Sequence, residues 1–200
     1  MTAIRELFAT RIYESTLAED RGWPRLHADL VDACAMVADG DLAGRAWCKA
    51  NGYGGYTSYA SLNDLPRRAT AFGDLKRKLD KHAATFAAAL EFDLGGGRLA
   101  LDSLWVSVLK PGAAHSGHIH PHSVLSGTVY VTTPPGAGGL RLEDPRLPLM
   151  MAAPPRRSFE TLTPAPGTLF LWESWLRHEV LANTAKTPRL SLSFNYAWHS

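Results

Sequence analysis

Apolar positions in the first half of the chain recur at helical spacing. Leu26, Leu30, Ala33 and Val37 step by 4, 3 and 4, which sets them on one face of an α-helix. Further on, Phe72, Leu75, Leu79, Phe86 and Leu90 line one side of a second helix, predicted over residues 70–91 and ending before Gly95-Gly96-Gly97. Lys76, Arg77, Lys78, Asp80 and Lys81 interrupt that stripe with charge, the pattern of an amphipathic helix lying on a sheet. The stretch NGYGGYTSYAS between the helices reads as a loop, and ahead of both, Leu7 to Tyr13 alternate as a short β run.

After Gly97 the texture changes to short β runs punctuated by Pro and Gly: Arg98 to Leu109, Ser126 to Thr132, Gly139 to Leu142, Phe159 to Leu162, Thr168 to Trp172 and Arg189 to Tyr196. Strands at this spacing without intervening helices predict an antiparallel sandwich or barrel, so the fold class is α+β with the helices first. No repeat or long linker divides the chain. It reads as a single domain over 1–200, with a mainly helical part over 1–97 and a β core over 98–200.

The last strand, RLSLSFNY, has two chemistries. Arg189, Ser191, Ser193 and Asn195 point to one face, and Leu190, Leu192, Phe194 and Tyr196 to the other. The polar face is either solvent-facing or, if the apolar face lies under the helices, turned into a barrel mouth, where the arginine needs an anionic partner.

Composition fits a compact globular chain: 200 residues, 46% apolar and 20% charged. Such a length buries roughly 70% of its unfolded surface and holds a core without staples. Cys34 and Cys48 form no CxxC pair and have no neighbouring His, which argues for a reducing compartment, the cytoplasm, over a disulfide scaffold or zinc site. Arg5 and Glu6 sit where a secretory signal would be apolar, and no run is long enough to cross a membrane. Net charge is only +2 and the one basic cluster is Pro66-Arg67-Arg68, which excludes nucleic acid as the expected partner; self-association as a homodimer stays open.

Histidine placement carries the chemistry. Of eight histidines, His115, His118, His120 and His122 fall within eight residues, where even scatter would place about a third of one. Neutral imidazole is the commonest protein metal ligand, and residues at i and i+2 on extended chain project to one side, which selects His118 and His120. Pro121 ends that stretch, so His122 need not share the face. A third ligand must come from elsewhere, and His178, in SWLRHEV after an apolar strand, is the best candidate.

The stretches HSGHIHPHSVLSGTVYV, GGLRLEDPR, PAPGTLFLWESWLRHEV and PRLSLSFNY, in that order over residues 100–196, resemble the iron(II)- and 2-oxoglutarate-dependent oxygenase superfamily, in particular a bacterial group of unassigned substrate. The segment Tyr56 to Leu65 is also similar to that group's N-terminal region. The resemblance implies a double-stranded β-helix, a jelly-roll or cupin-like barrel with the N-terminal helices packed on its major sheet. It implies Fe(II), 2-oxoglutarate and O2 as metal and co-substrates. Carried over by motif, His118, His120 and His178 match the metal ligands, Arg189 and Ser191 the clamp on the far carboxylate of 2-oxoglutarate, and Tyr130 is a further co-substrate contact.

At His120 the superfamily usually has a carboxylate, so three other assignments remain open. A three-His iron dioxygenase would use no 2-oxoglutarate, a metal-binding cupin-like barrel would turn nothing over, and Asp144 in the LEDPR turn could supply the missing carboxylate, although an ordinary turn residue is the simpler reading. Trp105, Trp172 and Trp175 are expected in the core, with one of them open as a pocket wall. The substrate, a small molecule or a peptide, is not named by any charge pattern; the loop 51–60 and PRLPLMMAAPPRRSFE are expected to overhang the barrel mouth.

Overall fold

The computed structural model describes residues 2–146 and 157–200. In chain order the elements are β1 (Tyr13–Thr16), α1 (Trp23–Gly40), α2 (Leu42–Ala50), β2 (Gly55–Thr57), a single 3-10 turn (Leu65–Arg67), α3 (Thr70–Ala89), β3 (Arg98–Leu109), β4 (His115–His118), β5 (Leu125–Thr132), β6 (Leu140–Glu143), β7 (Phe159–Leu162), β8 (Thr168–Glu173), β9 (His178–Val180) and β10 (Arg189–His199). They make two sheets, one of six strands in the order β1-β8-β5-β10-β3-β2 and one of four in the order β4-β9-β6-β7, with antiparallel ladders throughout.

The long strands fall where alternation placed them, and both long helices form. Leu26, Leu30 and Ala33 of α1 and Phe72, Leu75, Leu79 and Phe86 of α3 are buried in one cluster with Leu192, Phe194 and Tyr196 of β10 and the apolar positions of β3, β5 and β8. Tyr196 also ties the sheet to α3, its hydroxyl donating to Asp80 Oδ1 at 2.9 Å. The helices therefore cover one face of the six-stranded sheet.

Consequently the alternate positions of β10 face away from the helices. Arg189, Ser191 and Asn195 are buried there, and the register sets Ser191 between Ser107 of β3 and Tyr130 of β5, and Ser193 between Trp105 and Thr128. A smaller apolar cluster, with Tyr130, Leu140, Phe170 and Trp172, lies on that same face against the four-stranded sheet. The polar face of β10 is thus interior rather than solvent-facing.

Three expectations need correction, and one helix is new. The run Leu7 to Tyr13 is not a strand: pairing begins only at Tyr13, opposite Leu171, β8 ends at Glu173 and so reaches no further back than Arg11, and Leu7 and Phe8 are exposed. The Gly- and Tyr-rich stretch is not all loop, because Gly55–Thr57 adds β2 to the edge at β3. A Cβ at Gly55 would lie 1.9 Å from the Val108 carbonyl oxygen, so this close approach admits only glycine. The N-terminal part accordingly contributes both edge strands of the large sheet as well as helices. Trp175 is not core but 48% exposed, because the turn joining β8 to β9 directs Leu176 inward instead. Helix α2, unforeseen, is N-capped by Asp41, whose carboxylate accepts from Gly44 N at 2.8 Å and Tyr56 Oη at 2.9 Å.

Most of PRLPLMMAAPPRRSFE lies outside the described residues. No helix among the described residues is long and apolar enough to cross a membrane.

Candidate metal centre

β4 and β9 are neighbours in the small sheet, and their register sets His118 opposite His178. The two rings are 4.4 Å apart between centroids. His120 lies beyond the end of β4, so the expectation that it continues the strand is corrected. Its position comes instead from its backbone N–H, which donates to the Ser174 carbonyl at 3.0 Å and brings its ring within 5.1 Å of His178.

Histidine tautomers follow from the hydrogen bonds. His118 Nδ1 donates to the Ser116 carbonyl at 2.8 Å and His178 Nδ1 to the Leu176 carbonyl at 2.9 Å, which leaves an Nε2 lone pair on each ring. His120 Nε2 stands 3.3 Å from His178 Nε2. One ligand atom from each of the three rings lies within 4.8 Å of the others. Burial disfavours the charged imidazolium and neighbouring histidines repel it further, so His178 is pushed down to about 3 and His120 to about 4; burial also lowers His118. Three converging neutral nitrogens, two of them at 3.3 Å, fit a divalent cation.

The remaining histidines separate cleanly. His115 stacks on His118 with centroids 4.4 Å apart and lines the same cavity, and burial lowers it to about 4. His122 adopts φ 70° in the turn after Pro121 and is exposed, away from the cavity. Asp144 lies in its turn paired with Arg146, apart from the three histidines that could hold a metal ion.

From the histidines the cavity runs along the inner face of β3, β5 and β10, past Trp105, Thr128 and Ser193 to Ser107, Ser191, Tyr130 and Arg189. Arg189 is only 4% exposed. Its NH1 donates to the Gly138 carbonyl at 2.8 Å, its guanidinium carbon sits 5.2 Å from the Tyr130 ring centre, and its Nε is buried without a partner. Among the described residues it forms no ion pair with a carboxylate. Gly138 must lack a side chain for this arrangement, since a Cβ there would stand 1.7 Å from the Leu181 carbonyl oxygen. Tyr130 is fully buried beside the guanidinium; burial raises its phenol to about 12, so it is a protonated hydroxyl.

Several cavity residues were not singled out from sequence. Tyr53 stands edge-on to His115, 5.7 Å between centroids, and lines the cavity together with Ser107. Trp105 contacts His120, and Tyr59, half-exposed, stands edge-on to Trp105. Trp105 and Trp172 are thus cavity walls as well as core. Tyr53 and Tyr59 belong to the loop 51–60 expected over the mouth, while Ser107, Thr128 and Ser193 are readable only once strand register is known.

Residues 103–195 match the family described as "Putative 2OG-Fe(II) oxygenase". That span contains three of the four motifs on which the resemblance rests and all of the fourth except Tyr196. A Pseudomonas putida prolyl-4-hydroxylase superposes with a TM-score of 0.64 at 17% identity, covering 94% of this chain and 92% of the other. SnoN, a non-heme alpha-ketoglutarate-dependent epimerase of nogalamycin biosynthesis, does so with a TM-score of 0.64 at 16% identity, covering 94% and 77%. HygX of Streptomyces hygroscopicus, crystallised with nickel and 2-oxoglutarate, gives a TM-score of 0.62 at 12% identity, covering 94% and 82%. At these identities the structural likeness is one of fold. No curated protein sequence matches the chain. The oxygenase resemblance, with the oxidoreductase class and the iron, 2-oxoglutarate and O2 that accompany it, therefore stands on the matched span and on the three-histidine group.

Proposed function

We propose that the two sheets form a jelly-roll barrel and that its interior is the active site of an iron(II)- and 2-oxoglutarate-dependent oxygenase of the hydroxylase type, acting on a small molecule or a peptide. His118, His120 and His178 are the metal ligands in this reading, and Arg189 with Ser191 and Tyr130 is the seat of the co-substrate. The observation that carries it is Arg189: a buried guanidinium with a free Nε, no carboxylate partner among the described residues, and a place in the cavity that holds the three imidazoles.

An unpaired charge in a low-dielectric interior is costly, and a guanidinium is shaped to hold a carboxylate through two parallel hydrogen bonds. Ser191, two residues on along the same strand face, adds a hydroxyl donor. A three-His dioxygenase without 2-oxoglutarate, or a barrel without turnover, would need another anionic ligand to pair this arginine.

Iron bound at the histidines, with 2-oxoglutarate and O2, supplies the oxidising chemistry. The chain's own residues do the rest. The Ser116 and Leu176 carbonyls fix the tautomers of His118 and His178 so that both present Nε2. Arg189 fixes one end of the dicarboxylate, which orients its other end toward the histidines. Trp105, Trp172 and Tyr130 keep the interior dry and so strengthen each polar contact within it.

Buried, unpaired Cys34 and Cys48 support a reducing, cytoplasmic setting. The deciding experiment is anaerobic titration of the iron(II) protein with 2-oxoglutarate, monitored for a metal-to-ligand charge-transfer band; its absence at saturating metal would overturn the reading.

A further inference from the structure

The cavity has an unusual balance of charge. Its lining includes His115, His118, His120, His178 and Arg189, and among the described residues no Asp or Glu. Glu143 and Glu179, which flank it in the small sheet, are each ion-paired, with Arg177 and Arg141. A divalent ion on three neutral imidazoles keeps both of its charges, and Arg189 adds a third. A dicarboxylate co-substrate cancels two of the three. One positive charge is left in a cavity whose polar lining is hydroxyls and imidazoles with no carboxylate, and a buried unbalanced ion is strongly disfavoured.

A second observation points to the same deficit. Trp172 is 3% exposed and lines this cavity, with its ring edge-to-face on His178 at 4.7 Å between centroids. Its Nε1 is buried and has no hydrogen-bond partner. An indole N–H can only donate, and a buried donor without an acceptor loses its hydration for nothing in return. Apart from Arg189 Nε, it is the one such orphan among the described cavity-lining residues.

We infer that the site takes a second, singly charged anionic group beside the co-substrate, seated on the indole N–H of Trp172 next to His178. The inference rests on the proposed function, since the charge count assumes metal and dicarboxylate. Its chemistry is that of a compact monoanion, from either of two sources: a carboxylate carried by the substrate, or a free inorganic anion.

Cobalt(II)-loaded protein under anaerobic conditions separates these sources. 2-Oxoglutarate is titrated first, followed through the cobalt absorption bands, and then sodium acetate or sodium chloride is titrated into the ternary complex. Saturable binding of acetate but not chloride assigns the group to the substrate; saturable chloride binding that competes with acetate assigns it to a free anion. In either case Trp172→Phe, titrated at saturating cobalt(II) and 2-oxoglutarate, should weaken the anion about tenfold. His120→Asp should weaken it at least as much, because the added carboxylate removes the surplus charge. Binding of 2-oxoglutarate with no response to either anion, or anion affinity indifferent to both substitutions, overturns the inference alone. Failure of 2-oxoglutarate to bind overturns the function on which it rests.

Discussion

His118 and His178 are registered partners across the β4–β9 ladder, 60 residues apart in sequence and 4.4 Å apart between ring centroids. Their side chains share a face because directly opposed residues on neighbouring antiparallel strands do so. The placement of this candidate ligand pair is therefore a property of strand pairing, and it is tied to the stability of the small sheet.

Removal of a ligand should accordingly be severe and selective. His178→Ala takes away one of three converging Nε2 atoms and should lower affinity for a divalent ion by 100-fold or more, an effect on the order of 3 kcal/mol. His122→Ala, in an exposed turn away from the cavity, should leave affinity unchanged. Isothermal titration of the metal-free variants with cobalt(II) or zinc(II) reads both; wild-type affinity in His178→Ala would remove it from the ligand set.

Acid should destabilise the metal-free fold through the same residues. Burial holds His115 and His120 at about 4 and His178 at about 3, whereas the unfolded chain titrates near 6.5. Between those values the unfolded state binds protons that the native state refuses, so stability is full above pH ~6.5 and falls as pH drops toward 4. The slope is about 1.4 kcal/mol per pH unit for each proton taken up. Denaturant midpoints measured from pH 7.5 to 4.5 should show this fall, flattened in His115→Gln; identical slopes in the two proteins would contradict it.

Helix docking sets the other face of the sheet. Phe194 is fully buried against α1 and α3 in the cluster containing Leu75 and Leu79. Phe194→Ala should cost about 3–5 kcal/mol through lost burial and the cavity left behind. A loss below about 1 kcal/mol in urea unfolding would mean that this layer packs differently.

How much of this was legible in the sequence follows the range of each interaction. Alternation along β10 and the spacing of Phe72, Leu75 and Leu79 are local patterns, and they located the sheet, the helices and the face of each that is buried. The four clustered histidines were visible as composition. What a linear reading lacks is register. Nothing local announces that His120 leaves its strand and hangs from the Ser174 carbonyl, that Ser107 and Ser193 look into the same space as Arg189, or that Tyr53 reaches His115 from a loop that pairs with β3. Trp175 failed for a related reason: hydrophobicity argues for burial, but a turn between strands decides which of Trp175 and Leu176 points inward.

Arg189 provides the sharpest test because its two contexts differ in cost. In the metal-free protein it is held by one hydrogen bond to the Gly138 carbonyl and by the Tyr130 ring, with Nε unsatisfied. A carboxylate arriving there gains charge-assisted hydrogen bonds at a buried site. Arg189→Ala should leave the metal bound yet weaken 2-oxoglutarate about 100-fold, a loss of roughly 3 kcal/mol. Lysine should rescue only partly, since an ammonium offers a point charge without the planar fork. Ser191→Ala removes one neutral donor and should cost about 1 kcal/mol. Removing a buried, unpaired charge should not destabilise the ligand-free fold and is expected to leave its melting temperature level or raised. Equilibrium dialysis of 2-oxoglutarate against each iron(II)-loaded variant, with thermal melts of the metal-free proteins, reads both halves. Unchanged 2-oxoglutarate affinity in Arg189→Ala, or a collapse of the metal-free fold, would show that the guanidinium serves the architecture and not the co-substrate.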